Sequence, residues 1–200
     1  MKINMKTILS LSTLFLTLLF TTQSFPHSYH YEVQVANTLQ TNNNKQLEAL
    51  KLTFLYDGSV SKVMLQDQKD LKKLGDTLIT DLQKLGYFTQ IKLNGKTLNT
   101  NKAQDIRLEK ISAKDSEGRP YNALQLQFTL PLQKAANITK NSELELRHED
   151  PTEAAILYYD NADHILIEGS LKMSCKSSVK EKGDFAEGEF PQIVKVICNL

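Results

Sequence analysis

Histidine is the side chain in this 200-residue sequence whose chemistry reaches furthest beyond packing, and there are 4 of them. His27 and His30 fall three positions apart, directly after an apolar leader. His148 stands beside Glu149 and Asp150, and His164 beside Asp163. Neutral imidazole combined with carboxylate suits a divalent transition ion such as zinc, nickel or copper. Only the unprotonated ring binds, so affinity at such a site falls below about pH 6.5. Spacing alone selects no ion. On a straight strand His27 and His30 point to opposite faces, so they share an ion only where the segment curls. Pro26 has no amide proton to lose, which excludes the amino-terminal copper or nickel chelate built on a third-position histidine. The plainer alternative is that His30 and His164 are ordinary strand residues.

Motifs for enzymatic chemistry are nearly absent. Ser59 and Lys62 match the S-x-x-K spacing of serine acyl-enzymes, but the two partner motifs are missing and the segment sits beside a predicted turn. There is no G-x-S-x-G, P-loop, H-E-x-x-H or dinucleotide fingerprint. Glu149 and Asp150 are adjacent, so on a strand their carboxylates diverge. The sequence therefore predicts a protein that is not an enzyme. The 2 cysteines, Cys175 and Cys198, lack C-x-x-C spacing. In an exported chain they are expected to form a disulfide that stabilises by roughly 3 kcal/mol in the chain-entropy model.

Export is the expectation set by residues 1–24. Lys2 and Lys6 supply a positive start, Ile8 to Phe20 an apolar core, and Thr22-Gln23-Ser24 a small-residue cleavage site before Phe25. The apolar run is short for a membrane span of about 20 residues. Cleavage there leaves residues 25–200 as a single periplasmic domain without direct membrane insertion. Losing two lysines takes the formal charge from +1 to −1, which gives no electrostatic reason to expect nucleic acid as a partner.

The elements that must position the candidate ligands read mostly as strands. Tyr29, Tyr31, Val33 and Val35 alternate with polar residues, as do Leu50, Leu52, Phe54 and Tyr56. Asn42–Asn44 and Asp57-Gly58 predict reversals, and Asn94-Gly95 predicts a tight hairpin. Leu71, Leu74, Leu78, Ile79, Leu82 and Leu85 recur at helical spacing, predicting one amphipathic helix over Gln66–Leu85 that stops at Gly86. Further strands are expected at Tyr87–Leu93, Ile106–Ile111, Leu124–Leu130 closing at Pro131, Leu144–Leu146, Ile156–Tyr158 and Ile165–Ile167. The last two, Ser170–Cys175 and Ile193–Cys198, would be joined at their cysteines. The predicted fold class is β-rich α+β: antiparallel, sandwich-like sheets, one covering helix and a C-terminal disulfide-linked strand pair.

Several motifs occur in order along the chain: Phe25-Pro26-His27 after the leader, Gly86-Tyr87-Phe88-Thr89 before Asn94-Gly95-Lys96, Phe128-Thr129-Leu130-Pro131-Leu132, Asp150-Pro151-Thr152 and the closing cysteines. The ordered set resembles a bacterial family of unknown function, described as periplasmic components of ABC-type transport systems, whose mature chains begin His-Pro-His. The resemblance implies a periplasmic accessory to an inner-membrane permease of the nickel/cobalt type, with a zinc-acquisition role. His27 matches the second family histidine, and Phe25 replaces the first. Asp150 matches the acid of the D-P-T turn, while Glu153 stands where the family often has tyrosine. The expectation is a carrier of a divalent metal ion, zinc first with nickel or cobalt as alternatives. His27 is its primary ligand and His30, His148 and Asp150 are companions. The alternative is a docking module without metal, using Tyr29–Val35 or Gly86–Phe88 as contact surface.

Overall fold

The computed structural model describes residues 31–114, 118–180 and 192–199. The expected leader, His27 and His30 lie outside the described residues.

Period-two alternation builds the first sheet. In β1 (Tyr31–Thr41) it buries Val33, Val35 and Leu39, and in β2 (Gln46–Tyr56) it buries Leu50, Leu52 and Phe54. The turn between them is closed by Asn42, whose Oδ1 accepts from the backbone N–H of Asn44 and Gln46. β2 pairs antiparallel with β6 (Pro120–Asn137), which pairs antiparallel with β5 (Gln104–Lys114). The other edge of β1 takes two short parallel partners. β8 (Ala155–Tyr158) lies beside Tyr31–Gln34, and β9 (Ile165–Ile167) beside Asn37–Leu39. The sheet is thus mixed, where sequence predicted antiparallel pairing throughout.

The second sheet is antiparallel, in the order β10 (Cys175–Lys180), β11 (Ile193–Cys198), β7 (Ser142–His148), β3 (Thr89–Leu93), β4 (Lys96–Thr97). Asn94 and Gly95, with φ of 49° and 76°, form the expected two-residue turn. The disulfide is present: Cys175 and Cys198 are direct cross-strand partners with Cα atoms 4.0 Å apart. It fastens the edge strand β10 to its neighbour, and such bonds belong to oxidising compartments. Ser170–Cys175 is not a strand. The chain turns there, with Ser174 N–H bonding the Leu171 carbonyl, and β10 begins at Cys175. β6 likewise runs through Pro131 rather than ending there. The missing proline N–H falls where the β2–β6 register shifts between Leu47 and Ala49.

Two helices replace the single predicted one: α1 (Gly58–Asp67) and α2 (Leu71–Lys84). Asp57 does not start a hairpin; its carboxylate accepts from Ser59 and Val60 N–H and caps α1. Asp70 caps α2 in the same way. The apolar stripe of α2 buries Leu74, Ile79 and Leu82. Gly75 permits the close approach to β5, since an added Cβ would lie 3.2 Å from Leu108 Cβ. The core fills the space between the sheets and under the helices, with Phe54 and Phe128 edge-to-face at 5.4 Å. Among the described residues, no helix is long and apolar enough to cross a membrane.

Candidate functional site

His148 ends β7, and the alternation that buries Ser142, Leu144 and Leu146 carries its ring inward as well. The side chain is 2% exposed and faces Phe54 and Tyr159. Its Nε2 lies 3.0 Å from Asn37 Nδ2 of β1, across the gap between sheets. Its Nδ1 lies 3.1 Å from the hydroxyl of Thr89, its register partner on β3. Burial pushes the imidazole pKa down to about 3, only partly opposed by the Phe88 carbonyl. The ring is therefore neutral at physiological pH, with Nε2 as acceptor and Nδ1 as donor.

Asn37 amide nitrogen also donates to Tyr159 Oη, while its Oδ1 is buried without a partner. Tyr159 follows β8, and its backbone N–H donates to the side-chain oxygen of Gln192. A polar seam thus crosses an otherwise apolar interior through Thr89, His148, Asn37, Tyr159 and Gln192. Burial raises the Tyr159 phenol pKa well above its usual value.

The seam fastens an unusual turn. Gly86, Tyr87 and Phe88 have φ of 63°, 56° and 54°, three successive left-handed residues. Such backbone costs roughly 1–2 kcal/mol per residue outside glycine, so other contacts must hold it. The Tyr87 hydroxyl accepts from Ala103 N–H at 3.0 Å, and its ring packs 5.8 Å from Phe128. The Phe88 carbonyl accepts from Glu149 N–H at 3.0 Å, and the Thr89 hydroxyl donates to the Tyr87 carbonyl at 2.8 Å. Both aromatic rings are buried, so the Gly86–Phe88 segment is a core anchor and not the contact surface considered from sequence.

Asp150 is 5% exposed and shapes the turn that follows. Oδ1 accepts from the backbone N–H and hydroxyl of Thr152, and Oδ2 from Ala155 N–H at 2.9 Å. Its carboxylate is thus committed to its own loop, as the ring of His148 is committed to the core. Glu149 and Glu153, flanking it, are exposed. The same turn receives the start of β1: Tyr31 N–H donates to the Ala154 carbonyl at 3.1 Å. Burial, then the nearby negative charge of Asp150, raises the Tyr31 phenol pKa.

A second group of acids lies along this edge. Burial first, then Asp160, Glu32, Tyr121 and Asp57, pushes the Tyr158 phenol up to about 12. Burial alone would raise the Asp57 carboxyl, but hydrogen bonds from the Ser59 hydroxyl and the backbone of Val60, Ser59 and Glu32 outweigh it and hold the pKa below its usual value. Among the described residues, no three His, Cys, Asp or Glu side chains are gathered closely enough to hold a metal ion. His164 and Asp163 sit on a short 3-10 turn capped by Asn161. An open groove of about 720 Å³ between Ile165–Gly169 and Lys172–Ser177 brings none of the candidate ligands together.

The structure therefore separates the sequence candidates. His148 and Asp150 are two residues apart but serve different structural networks, and His27 and His30 lie outside the described residues. Sequence reasoning missed Asn37, although its position continues the inward series Val33, Val35 and breaks the apolar pattern. Thr89 was visible only as the end of the Gly86-Tyr87-Phe88-Thr89 motif, and Gln192 left no comparable signal. A search of curated proteins returned no match. A family profile matches residues 11–186, and the chain belongs to that family, protein of unknown function (DUF1007).

Proposed function

We propose that this is a periplasmic metal-handling protein that captures a divalent transition ion, zinc first, and passes it to an inner-membrane permease. The observation that carries this reading is the hydrogen bond from Tyr31 N–H to the Ala154 carbonyl. It ties the histidine-bearing segment before β1 to a turn that presents Glu149 and Glu153 at the surface. His27 precedes Tyr31 by four residues, at most about 14 Å of extended chain. Both histidines are thus joined by a short stretch of chain to the strand that meets this turn, and imidazole with carboxylate is a donor set zinc accepts. His148 and Asp150 are outside the ligand set, since their polar atoms already serve the core and the turn. The disulfide supports an oxidising compartment and hence export.

Zinc titration of the mature chain and of a Glu149→Gln, Glu153→Gln variant tests the site. Affinity at least tenfold weaker in the variant supports the tethered-arm arrangement. Unchanged affinity removes the turn from the site.

A further inference from the structure

We propose that Asn37 and His148 form a two-position hydrogen-bond switch between the sheets, in which the carboxamide rotates and the imidazole changes tautomer together. In the position seen, Asn37 Nδ2 donates to both His148 Nε2 and Tyr159 Oη, and Oδ1 is left buried and unpartnered. A half-turn of the carboxamide puts Oδ1 where Nδ2 now stands. There it accepts from the Tyr159 hydroxyl and from a proton on Nε2. His148 Nδ1, now bare, accepts from the Thr89 hydroxyl already 3.1 Å away. The heavy atoms barely move. Each position leaves one amide atom orphaned, Oδ1 in the first and Nδ2 in the second, so neither satisfies the seam fully. That shared deficit keeps the two positions close in free energy.

The proton count balances. One proton leaves Nδ1 for water during a local opening, another arrives at Nε2 from water, and the ring is neutral in both positions. What changes is the fastening of the left-handed turn. The Thr89 hydroxyl, which accepts from Nδ1 in the first position, donates to it in the second. The Thr89 hydroxyl turns away from the Tyr87 carbonyl, which it now meets at 2.8 Å. At the other end Tyr159, whose backbone is held by Gln192, changes from acceptor to donor. One event thus links the Gly86–Thr89 turn to the junction of β8 with the C-terminal hairpin. The switch is independent of the metal reading.

NMR of the ¹⁵N-labelled protein tests it, since long-range proton–nitrogen correlations identify which ring nitrogen carries the proton. The wild type should show His148 mainly as the Nδ1–H form, with an exchanging Nε2–H form on the order of 0.1–10%. Relaxation dispersion should appear together at the ring and at the Phe88, Thr89 and Tyr159 amides. Thr89→Val removes the hydroxyl that the second position needs and should abolish the dispersion at all of them. Asn37→Asp can only accept, so it should convert His148 to Nε2–H. A single tautomer with no dispersion in the wild type would overturn the proposal, as would dispersion that survives in Thr89→Val. Both readouts stand even if Asn37→Asp fails to fold.

Discussion

The Nε2 of His148 and the amide nitrogen of Asn37 lie 3.0 Å apart, a buried polar contact that ties the second sheet to the first. Because it needs a neutral acceptor nitrogen, it links the stability of the fold to pH. The folded-state pKa of about 3 lies below the unfolded value near 6.5. Above 6.5 the ring is neutral in both states and the shift has no effect. As pH falls from 6.5 towards 3, the unfolded chain takes up a proton that the folded chain refuses. Stability should drop by about 1.4 kcal/mol per pH unit over that window and level off below it. Urea denaturation of wild type and His148→Gln between pH 7 and 4 reads this directly. The variant should lose about one proton's worth of slope, and parallel curves would show that His148 does not titrate as its burial implies.

Asp150 is placed as a turn former, so its loss should cost stability. Asp150→Ala leaves the N–H groups of Thr152 and Ala155 without the carboxylate they bond. A destabilisation of about 1–3 kcal/mol is expected from denaturant melts. Asp150→Asn should lose less and keep zinc affinity within about threefold. A large loss of affinity with intact stability would return Asp150 to the ligand set.

Ser61 is fully buried in α1 and joins two elements: its Oγ donates to the Tyr56 carbonyl and accepts from Leu124 N–H. Ser61→Ala should destabilise by about 1–3 kcal/mol, because a buried N–H of β6 is left unpaired. Ser59→Ala, at an exposed capping position, should cost no more than about 0.5 kcal/mol. Equal losses in thermal melts would contradict the assignment.

The Cys175–Cys198 bond closes a loop with a sequence separation of 23. Its removal by Cys175→Ser, Cys198→Ser should cost about 2–4 kcal/mol. Hydrogen exchange should rise first in β10, which among the described residues is an edge strand paired only with β11. Exchange that rises uniformly would mean that the hairpin is not a separate unit.

Period-two patterns made most of the strands legible, and the Asn94-Gly95 turn was readable because its chemistry demands positive φ at both positions. Asp57 was not. Its carboxylate binds following N–H groups in a turn and in a helix cap alike, so Asp-Gly could not separate a hairpin from the start of α1. The helix expected over Gln66–Leu85 left α1 unread, because Asp57-Gly58 reads as a reversal and α1 buries only Ser61, so it carries no apolar stripe. His148 was visible as chemistry but not as a core residue, since its role depends on Asn37, distant in sequence and joined to it only when the sheets pack. The parallel pairing of β8 and β9 with β1 depends on the same long-range assembly.

Metal binding by the mature chain, residues 25–200, is the measurement closest to the central claim. Calorimetric titration with zinc at pH 7.5, alongside the His27→Ala, His30→Ala double variant, should give one ion per chain. Heat should be lost in the variant while its melting temperature in the absence of metal is unchanged. No binding by the wild type at micromolar zinc, nickel or cobalt, or equal binding by the variant, would contradict a metal-handling role built on this segment.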